Sequence, residues 1–209
     1  MKGDLYLNVL PEDQLRLFEL LSVQSFMGDF YMAGGTDLAL QIGHRRSYDF
    51  DFFIPADFNT YSVINRLKKI GIYDRDNEEK NTINGRLNGV RISFFGYHYN
   101  IIDDFRKYNI LRLAGLKDIA AMKLEAIAGR GSKKDFVDLF FLLQRYTLEE
   151  MFSYHEKKYG TGLNNQYHLL KSLVYFEDAE EEPMPVMIKS LLWEDVKKHI
   201  IEKMKRFKI

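Results

Sequence analysis

The sequence predicts an α/β (α+β) protein in which a sheet-forming core at residues 1–105 precedes a helical region at residues 106–209. The apolar run Phe30–Ala33 is typical of a buried strand. Asn88-Gly89 lies between two runs of alternating apolar residues, which is the strongest short signal for a β-hairpin. From Leu116 to Gly129 the apolar residues recur at helical spacing instead. The sequence therefore places the strands in its first half and helices in its second.

Each further element follows from a local start or stop signal. Acidic residues after Pro11 favour the first turn of a helix, and Gly71 ends a run of helical spacing. Ser132 with Asp135, and Thr147 with Glu150, match the capping-box pattern. The predicted elements are a helix from Pro11, a helix at Asn59–Ile70, a strand from Ile72, hairpin strands at Thr82–Leu87 and Val90–Phe95, helices at Leu116–Gly129, from Ser132 to Leu143, from Thr147, at Tyr167–Phe176 and at Trp193–Phe207, and a loop at Glu177–Pro185.

Bulk composition limits the classes of protein and partner. The chain has 209 residues, of which 46% are hydrophobic, so it is long and apolar enough to bury a sizeable core. Thirty basic and thirty acidic residues give zero formal net charge, so any contact with nucleic acid must come from a local patch. There is no cysteine, and no apolar stretch approaches the length of a membrane span. We expect a cytoplasmic protein with no membrane partner.

A glycine turn follows the first predicted strand and is typical of a phosphate-binding element. Gly34-Gly35 allows a tight turn and a close approach of the backbone to a ligand. Thr36 is predicted to cap a short helix at Asp37–Ile42. The free N–H groups and dipole at that helix N-terminus favour a phosphate lying over the glycines.

Two carboxylates follow on the next predicted strand. The run from Tyr48 to Phe53 alternates, so Asp49 and Asp51 face one side while Tyr48, Phe50 and Phe52 face the other. Two nearby carboxylates repel each other unless a cation lies between them. Mg²⁺ (or Mn²⁺) suits the position, because it takes oxygen ligands and completes its shell with waters and substrate phosphates. The alternative is an edge strand with one solvated face.

Two blocks of sequence carry a family resemblance. The stretch GGTDLALQIGHRRSYDFDFF resembles the signature of the nucleotidyltransferase superfamily, and in particular its AbiEii-type abortive-infection toxin family. The block from Lys123 to Leu139 is similar to that family's downstream motif, in which a lysine and an arginine precede a basic residue, an aspartate and a helix. The resemblance implies a nucleotidyltransferase fold, with a small mixed sheet flanked by helices.

The resemblance also implies an activity: Mg²⁺-dependent transfer of a nucleoside monophosphate from an NTP to an acceptor. It gives Asp49 and Asp51 the role of metal ligands and makes Lys123 a charge that stabilises the transferring phosphates. The acceptor it implies is a tRNA end or a protein. The chain itself would be the toxin of a toxin–antitoxin pair, with a cognate antitoxin as partner. Ser93 stands where many superfamily members have a third carboxylate. Two alternatives therefore stay open, a small-molecule transferase of the antibiotic-modifying sort and a degenerate fold that only binds nucleotide or a partner.

The remaining candidate residues each have two readings. Without the resemblance, Lys123 is an ordinary solvated helix lysine. Arg45, Arg46 and Arg130 are either loop charges or a basic rim for a nucleotide or an RNA backbone. Asp135 is predicted to cap the helix from Ser132, with Asp138 as its neighbour; alternatively Asp135 orients Arg130 or Lys123, or activates an attacking hydroxyl.

Overall fold

The computed structural model describes residues 5–161 and 166–207. Short 3₁₀ turns lie at Leu7–Val9 and Ser25–Asp29. The helices and strands, in chain order, are α1 (Glu12–Ser22), β1 (Tyr31–Ala33), α2 (Gly34–Ile42), β2 (Phe50–Ile54), α3 (Thr60–Ile70), β3 (Tyr73–Glu79), β4 (Thr82–Leu87), β5 (Val90–Gly96), β6 (Arg106–Tyr108), β7 (Leu111–Leu113), α4 (Leu116–Gly129), α5 (Lys133–Leu142), α6 (Leu148–Tyr159), α7 (Gln166–Ser172), α8 (Glu177–Glu180) and α9 (Trp193–Arg206).

The strands form one mixed sheet in the order β3-β4-β5-β2-β1-β7-β6. The pairs β2/β5 and β1/β7 are parallel, and the other pairs are antiparallel. The predicted α/β class and its mixed sheet are confirmed. The hairpin around Asn88-Gly89 is confirmed as well, with Asn88 and Gly89 both at positive φ. The hairpin β6–β7 was not predicted, because strands of three residues are too short to reveal an alternation.

The chain forms two compact units. The first runs to Tyr99 and includes Asp104–Ala114, so the β6–β7 hairpin belongs to its sheet. Its core combines α1 and α3 residues such as Phe18 and Leu67 with inward-facing sheet residues such as Phe52 and Phe94. This apolar layer holds β2 in the middle of the sheet, with β1 on one side and β5 on the other.

The second unit contains Asn100–Asp103 and the chain from Gly115 onward. In it α4 packs against α5, α6 and α7, and α5 packs against α9. The predicted capping box at α6 is confirmed, since the Thr147 hydroxyl and the Glu150 carboxylate bond each other's backbone N–H groups. In the described residues, no helix combines the length and the apolar character that crossing a membrane requires.

Candidate active site

The glycine turn brings the start of α2 beside a carboxylate. Gly34 begins the helix at a φ of +85°, a conformation that favours glycine. A Cβ atom placed on Gly34 would lie 3.4 Å from Asp51 Oδ2. The backbone N–H groups at this helix N-terminus therefore lie next to an acid. The acid can bind a cation, and the N–H groups can bind a phosphate held by that cation.

Thr36 has a different role from the predicted cap. Because α2 begins at Gly34, Thr36 lies in its first turn and Ala33 occupies the cap position. The buried Thr36 hydroxyl hydrogen-bonds to Ser47 Oγ at 2.7 Å and donates to the Asp49 carbonyl oxygen. Thr36 thus fixes the backbone of Asp49 to the first turn of α2.

Asp51 occupies the central strand of the sheet. Its register partners are Ala33 on β1 and Ser93 on β5. Phe50 and Phe52 point into the core as predicted, whereas Tyr48 is 45% exposed, because β2 begins only at Phe50. Asp49 therefore precedes the strand, and it is half-buried like Asp51.

The residues present suit a metal that is only partly held by protein. The two half-buried carboxylates keep contact with solvent, and the buried hydroxyl residue Ser93 lies beside Asp51 in the sheet. Within residues 5–161 and 166–207, no group of three or more His, Cys, Asp or Glu side chains converges to hold an ion. Mg²⁺ fits this ligand set, since it is commonly held by one or two carboxylates together with waters and substrate phosphates.

The downstream motif forms a buried cluster of charges in the second unit. Lys123 on α4 is 4% exposed, and its Nζ lies 2.7 Å from Asp135 Oδ1 and 2.7 Å from Asp138 Oδ2 on α5. Both carboxylates are fully buried. The solvated-lysine reading of Lys123 is therefore wrong. The ammonium neutralises two acids that would otherwise be costly to bury.

Asp135 is the centre of this cluster. It accepts hydrogen bonds from Arg130 Nε at 2.8 Å, from Arg130 Nη2 at 3.1 Å and from the Ser132 hydroxyl at 2.7 Å. Burial raises the pKa of the Asp135 carboxyl, but the charges of Lys123 and Arg130 outweigh burial and hold that pKa well below its ordinary value. Asp135 is therefore not a helix cap. Its carboxylate holds Lys123 and Arg130 in position, which was one of its predicted roles.

The three predicted rim arginines differ in exposure. Arg46 is exposed, but Arg45 is 4% exposed, and its guanidinium donates to the Arg46 carbonyl at 3.0 Å and to Ser47 Oγ at 3.3 Å. Arg45 therefore braces the loop before β2 rather than standing on the surface. The Arg130 side chain is 61% exposed and lines a cavity of about 470 Å³ in the second unit, together with Lys171 and Tyr175.

The predicted site residues thus fall into two groups. Gly34, Gly35, Thr36, Asp49 and Asp51 lie together in the first unit, while Lys123, Arg130 and Asp135 lie together in the second. Sequence reasoning missed the supporting residue Ser47, and it considered Asp138 only as a neighbour of the predicted cap Asp135. A signal for Asp138 exists, because it follows Asp135 by three residues and so shares its face of α5.

Comparison with known proteins gives the chain a family. No model of a known protein family matches the sequence. The "Uncharacterized protein aq_aa25" of Aquifex aeolicus (strain VF5) is 38% identical over 205 residues, which cover 95% of this chain and 97% of that protein. The chain belongs to the family of this Aquifex protein.

Two crystal structures from Helicobacter pylori have the fold of this family member. The structure of JHP933 matches with a TM-score of 0.57 and 16% identity, over 94% of this chain and 92% of that one. The structure of a "putative nucleotidyltransferase" matches with a TM-score of 0.59 and 15% identity, over 94% and 95% of the two chains. At this level of identity the likeness concerns the fold, and it confirms the nucleotidyltransferase-like fold expected from the sequence.

Proposed function

We propose that the chain is a nucleotidyltransferase that moves a nucleoside monophosphate from an NTP to an acceptor. The observation that carries the proposal is the placement of Asp51 in the central strand, beside the N-terminus of α2 at Gly34, with Asp49 fastened to the same helix through Thr36. Phosphoryl transfer is favoured when a cation and backbone N–H donors bind the same phosphate group. Here the two carboxylates are ligands for the cation, and the N-terminus of α2 supplies the N–H donors.

In the proposed reaction, an acceptor oxygen forms a bond to the α-phosphorus and the bond from that phosphorus to the bridging oxygen breaks, so pyrophosphate leaves. The hydroxyl proton of the acceptor passes to water. Asp49 and Asp51 would hold Mg²⁺, whose charge offsets that of the phosphates. The N–H groups at Gly34 and Gly35 would bind phosphate oxygens, and Ser93 would leave the site with two acids, which suits one metal ion better than two.

Lys123 and Asp135 enter the proposal through the resemblance, and their contacts favour a positioning role. The ammonium of Lys123 already bonds two carboxylates, and Asp135 stays ionised, with its oxygens bonded by three cationic or hydroxyl groups. A carboxylate with such a low pKa is a weak base, so Asp135 suits the fixing of Arg130 better than the activation of a hydroxyl.

The proposals for the acceptor and the biological role rest on the family resemblance. The resemblance favours a tRNA end or a protein as acceptor, in a toxin neutralised by an antitoxin. The alternatives remain a small-molecule transferase and a degenerate fold that only binds nucleotide or a partner. The presence of only two acids in the site favours the degenerate fold among these alternatives.

Radiolabel transfer tests the proposal. The purified protein is incubated with each α-³²P-labelled NTP, Mg²⁺ and a pool of tRNA or cell-extract acceptors, beside an EDTA control and the Asp51→Asn protein. We expect label on a macromolecule with wild type and Mg²⁺ only. Label on small molecules alone would support the antibiotic-type alternative, and Mg²⁺-dependent NTP binding without product would support the degenerate binder.

A further inference from the structure

The sheet face that carries Asp51 is organised in rows. The strand registers align Ala33 on β1 with Asp51 on β2, Asp51 with Ser93 on β5, and Ser93 with Asn84 on β4. Register neighbours point to the same face of a sheet. An acid, a hydroxyl and an amide thus form one continuous row across three strands, which Ala33 extends to a fourth.

The neighbouring rows on that face have different chemistry. Two residues further along β2, Phe53 is aligned with Tyr31 and Phe95, which makes an aromatic row. Two residues before Ser93, the exposed Arg91 faces the exposed Arg86 of β4 and makes a basic pair. Because a strand rises about 3.3 Å per residue, successive rows are roughly 6–7 Å apart. The carboxylate row therefore lies between an aromatic row and a pair of cations.

The aromatic row continues past the strands as a run of touching rings, all within the first unit. Apart from Tyr31, which is fully buried, each ring is half-buried and so keeps a surface toward solvent. The aromatic run consists of Phe105 and Tyr31 with centroids 5.4 Å apart, Tyr31 and Phe53 at 5.7 Å, Phe53 and Phe95 at 5.3 Å, Phe53 and Tyr97 at 5.2 Å, and Tyr97 and Tyr99 at 4.7 Å.

We infer that this face is a binding surface for a single-stranded nucleic acid. Aromatic rings stack on unpaired bases of any sequence, and arginines bind the phosphates between them. The length of the aromatic run favours a strand, since one base covers one ring and five of the six rings, all except Tyr31, keep a surface toward solvent. The inference rests on the proposed function in one respect: a strand bound along the aromatic row would pass beside Asp51 in the neighbouring row, where it would serve as the acceptor.

Fluorescence anisotropy with a fluorescein-labelled ten-nucleotide oligouridylate tests the surface, in EDTA and without NTP. We expect the wild-type protein to bind the oligonucleotide and to bind a duplex of equal length at least tenfold more weakly, because paired bases cannot stack on protein rings. Tyr97→Leu and Tyr99→Leu keep an apolar side chain but remove the ring, so each should weaken binding about fivefold or more. Tyr97→Phe should retain wild-type affinity.

Two matched sets of variants sharpen the test. Tyr61 on α3 is 72% exposed and lies outside the aromatic run, so Tyr61→Leu should leave the affinity unchanged. Arg86→Ala and Arg91→Ala should each reduce the slope of log K against log salt concentration by about 0.7, the amount expected for one phosphate contact of a single strand. Equal thermal midpoints across the set would establish that the variants are folded.

The outcomes separate this inference from the proposed function. Ring variants that bind oligouridylate as tightly as wild type would overturn the surface, even if label transfer to some acceptor is found. Absence of any oligonucleotide binding would overturn it too, and would favour a protein partner for the face. Ring-dependent binding without transfer from any NTP would support the surface and reject the transferase.

Discussion

Two pairs of acids in this protein have opposite environments. Asp49 and Asp51, two residues apart, are half-buried where β2 begins, while Asp135 and Asp138, three residues apart on α5, are fully buried around Lys123. The spacing of three puts Asp135 and Asp138 on one side of α5, whereas Asp49 lies just before β2 and Asp51 lies within it. The difference lies in burial: Lys123 neutralises the helical pair in the interior, whereas the strand pair keeps access to solvent. Solvent access is what a carboxylate needs in order to take a metal from outside.

The largest expected effect separates the two pairs by activity. Asp49→Asn or Asp51→Asn should lower Mg²⁺-dependent label transfer by about a thousandfold or more, because each removes a metal ligand from a site with two acids. The thermal midpoint should fall little, since the change relieves repulsion between two half-exposed carboxylates. Transfer assays and thermal melts measure both quantities. Full transfer by Asp49→Asn would show that the strand pair is not the metal site.

Mutation of the buried cluster should mainly lower the stability of the protein. Lys123→Met keeps much of the side-chain volume but leaves Asp135 and Asp138 without their shared ammonium, so we expect a loss of roughly 3–5 kcal/mol in the free energy of unfolding. Lys134 is exposed next to the same motif, and Lys134→Ala should cost less than about 0.5 kcal/mol. Urea titration measures both values. A Lys123→Met protein as stable as wild type but inactive would instead favour a direct role of Lys123 with the phosphates.

How far the sequence alone predicts these regions depends on the range of the contacts. The turn at Gly34, the alternation through Asp51 and the hairpin at Asn88-Gly89 are local patterns, and the structure contains all three elements. The link between the two motifs could be predicted only from the family resemblance, since no local pattern connects Lys123 with Asp49 and Asp51.

Long-range partners account for what the sequence did not predict. Thr36 was expected to cap α2 because a hydroxyl before a helix usually does so, but its partners are Ser47 and the Asp49 carbonyl. Asp135 was expected to cap α5 as the acid of a capping box with Ser132, yet its two oxygens accept hydrogen bonds from Lys123 and Arg130. A capping pattern does not distinguish a carboxylate that bonds the backbone from one that bonds distant cations.

The pH dependence of stability tests the buried acid Asp135 without a mutation. The pKa of Asp135 is lower in the folded state than in the unfolded chain, so Asp135 contributes stability above the unfolded pKa of about 4, and this stability is lost as the pH falls toward the folded pKa. We expect the free energy of unfolding to fall below about pH 4. In Asp135→Asn this part of the decline should be smaller, although the variant is less stable at pH 7. Urea titrations from pH 7 to pH 3 measure it, and parallel pH profiles of the two proteins would contradict the assignment.

The smallest expected effect concerns the glycine turn, where two glycines form a matched pair. Gly34 and Gly89 have φ values of +85° and +81°, so an alanine at either position should cost roughly 1–2 kcal/mol of stability through backbone strain. They differ in surroundings, because a Cβ on Gly34 would lie 3.4 Å from Asp51 Oδ2, while a Cβ on Gly89 would have no heavy atom within 4 Å. Gly34→Ala should therefore also weaken NTP binding, because its methyl group would occupy space over the carboxylate where phosphate is proposed to lie. Gly89→Ala should bind NTP as wild type does. Isothermal titration with a non-hydrolysable NTP analogue and Mg²⁺ measures the difference, and equal affinities in the two variants would remove the glycine turn from the phosphate site.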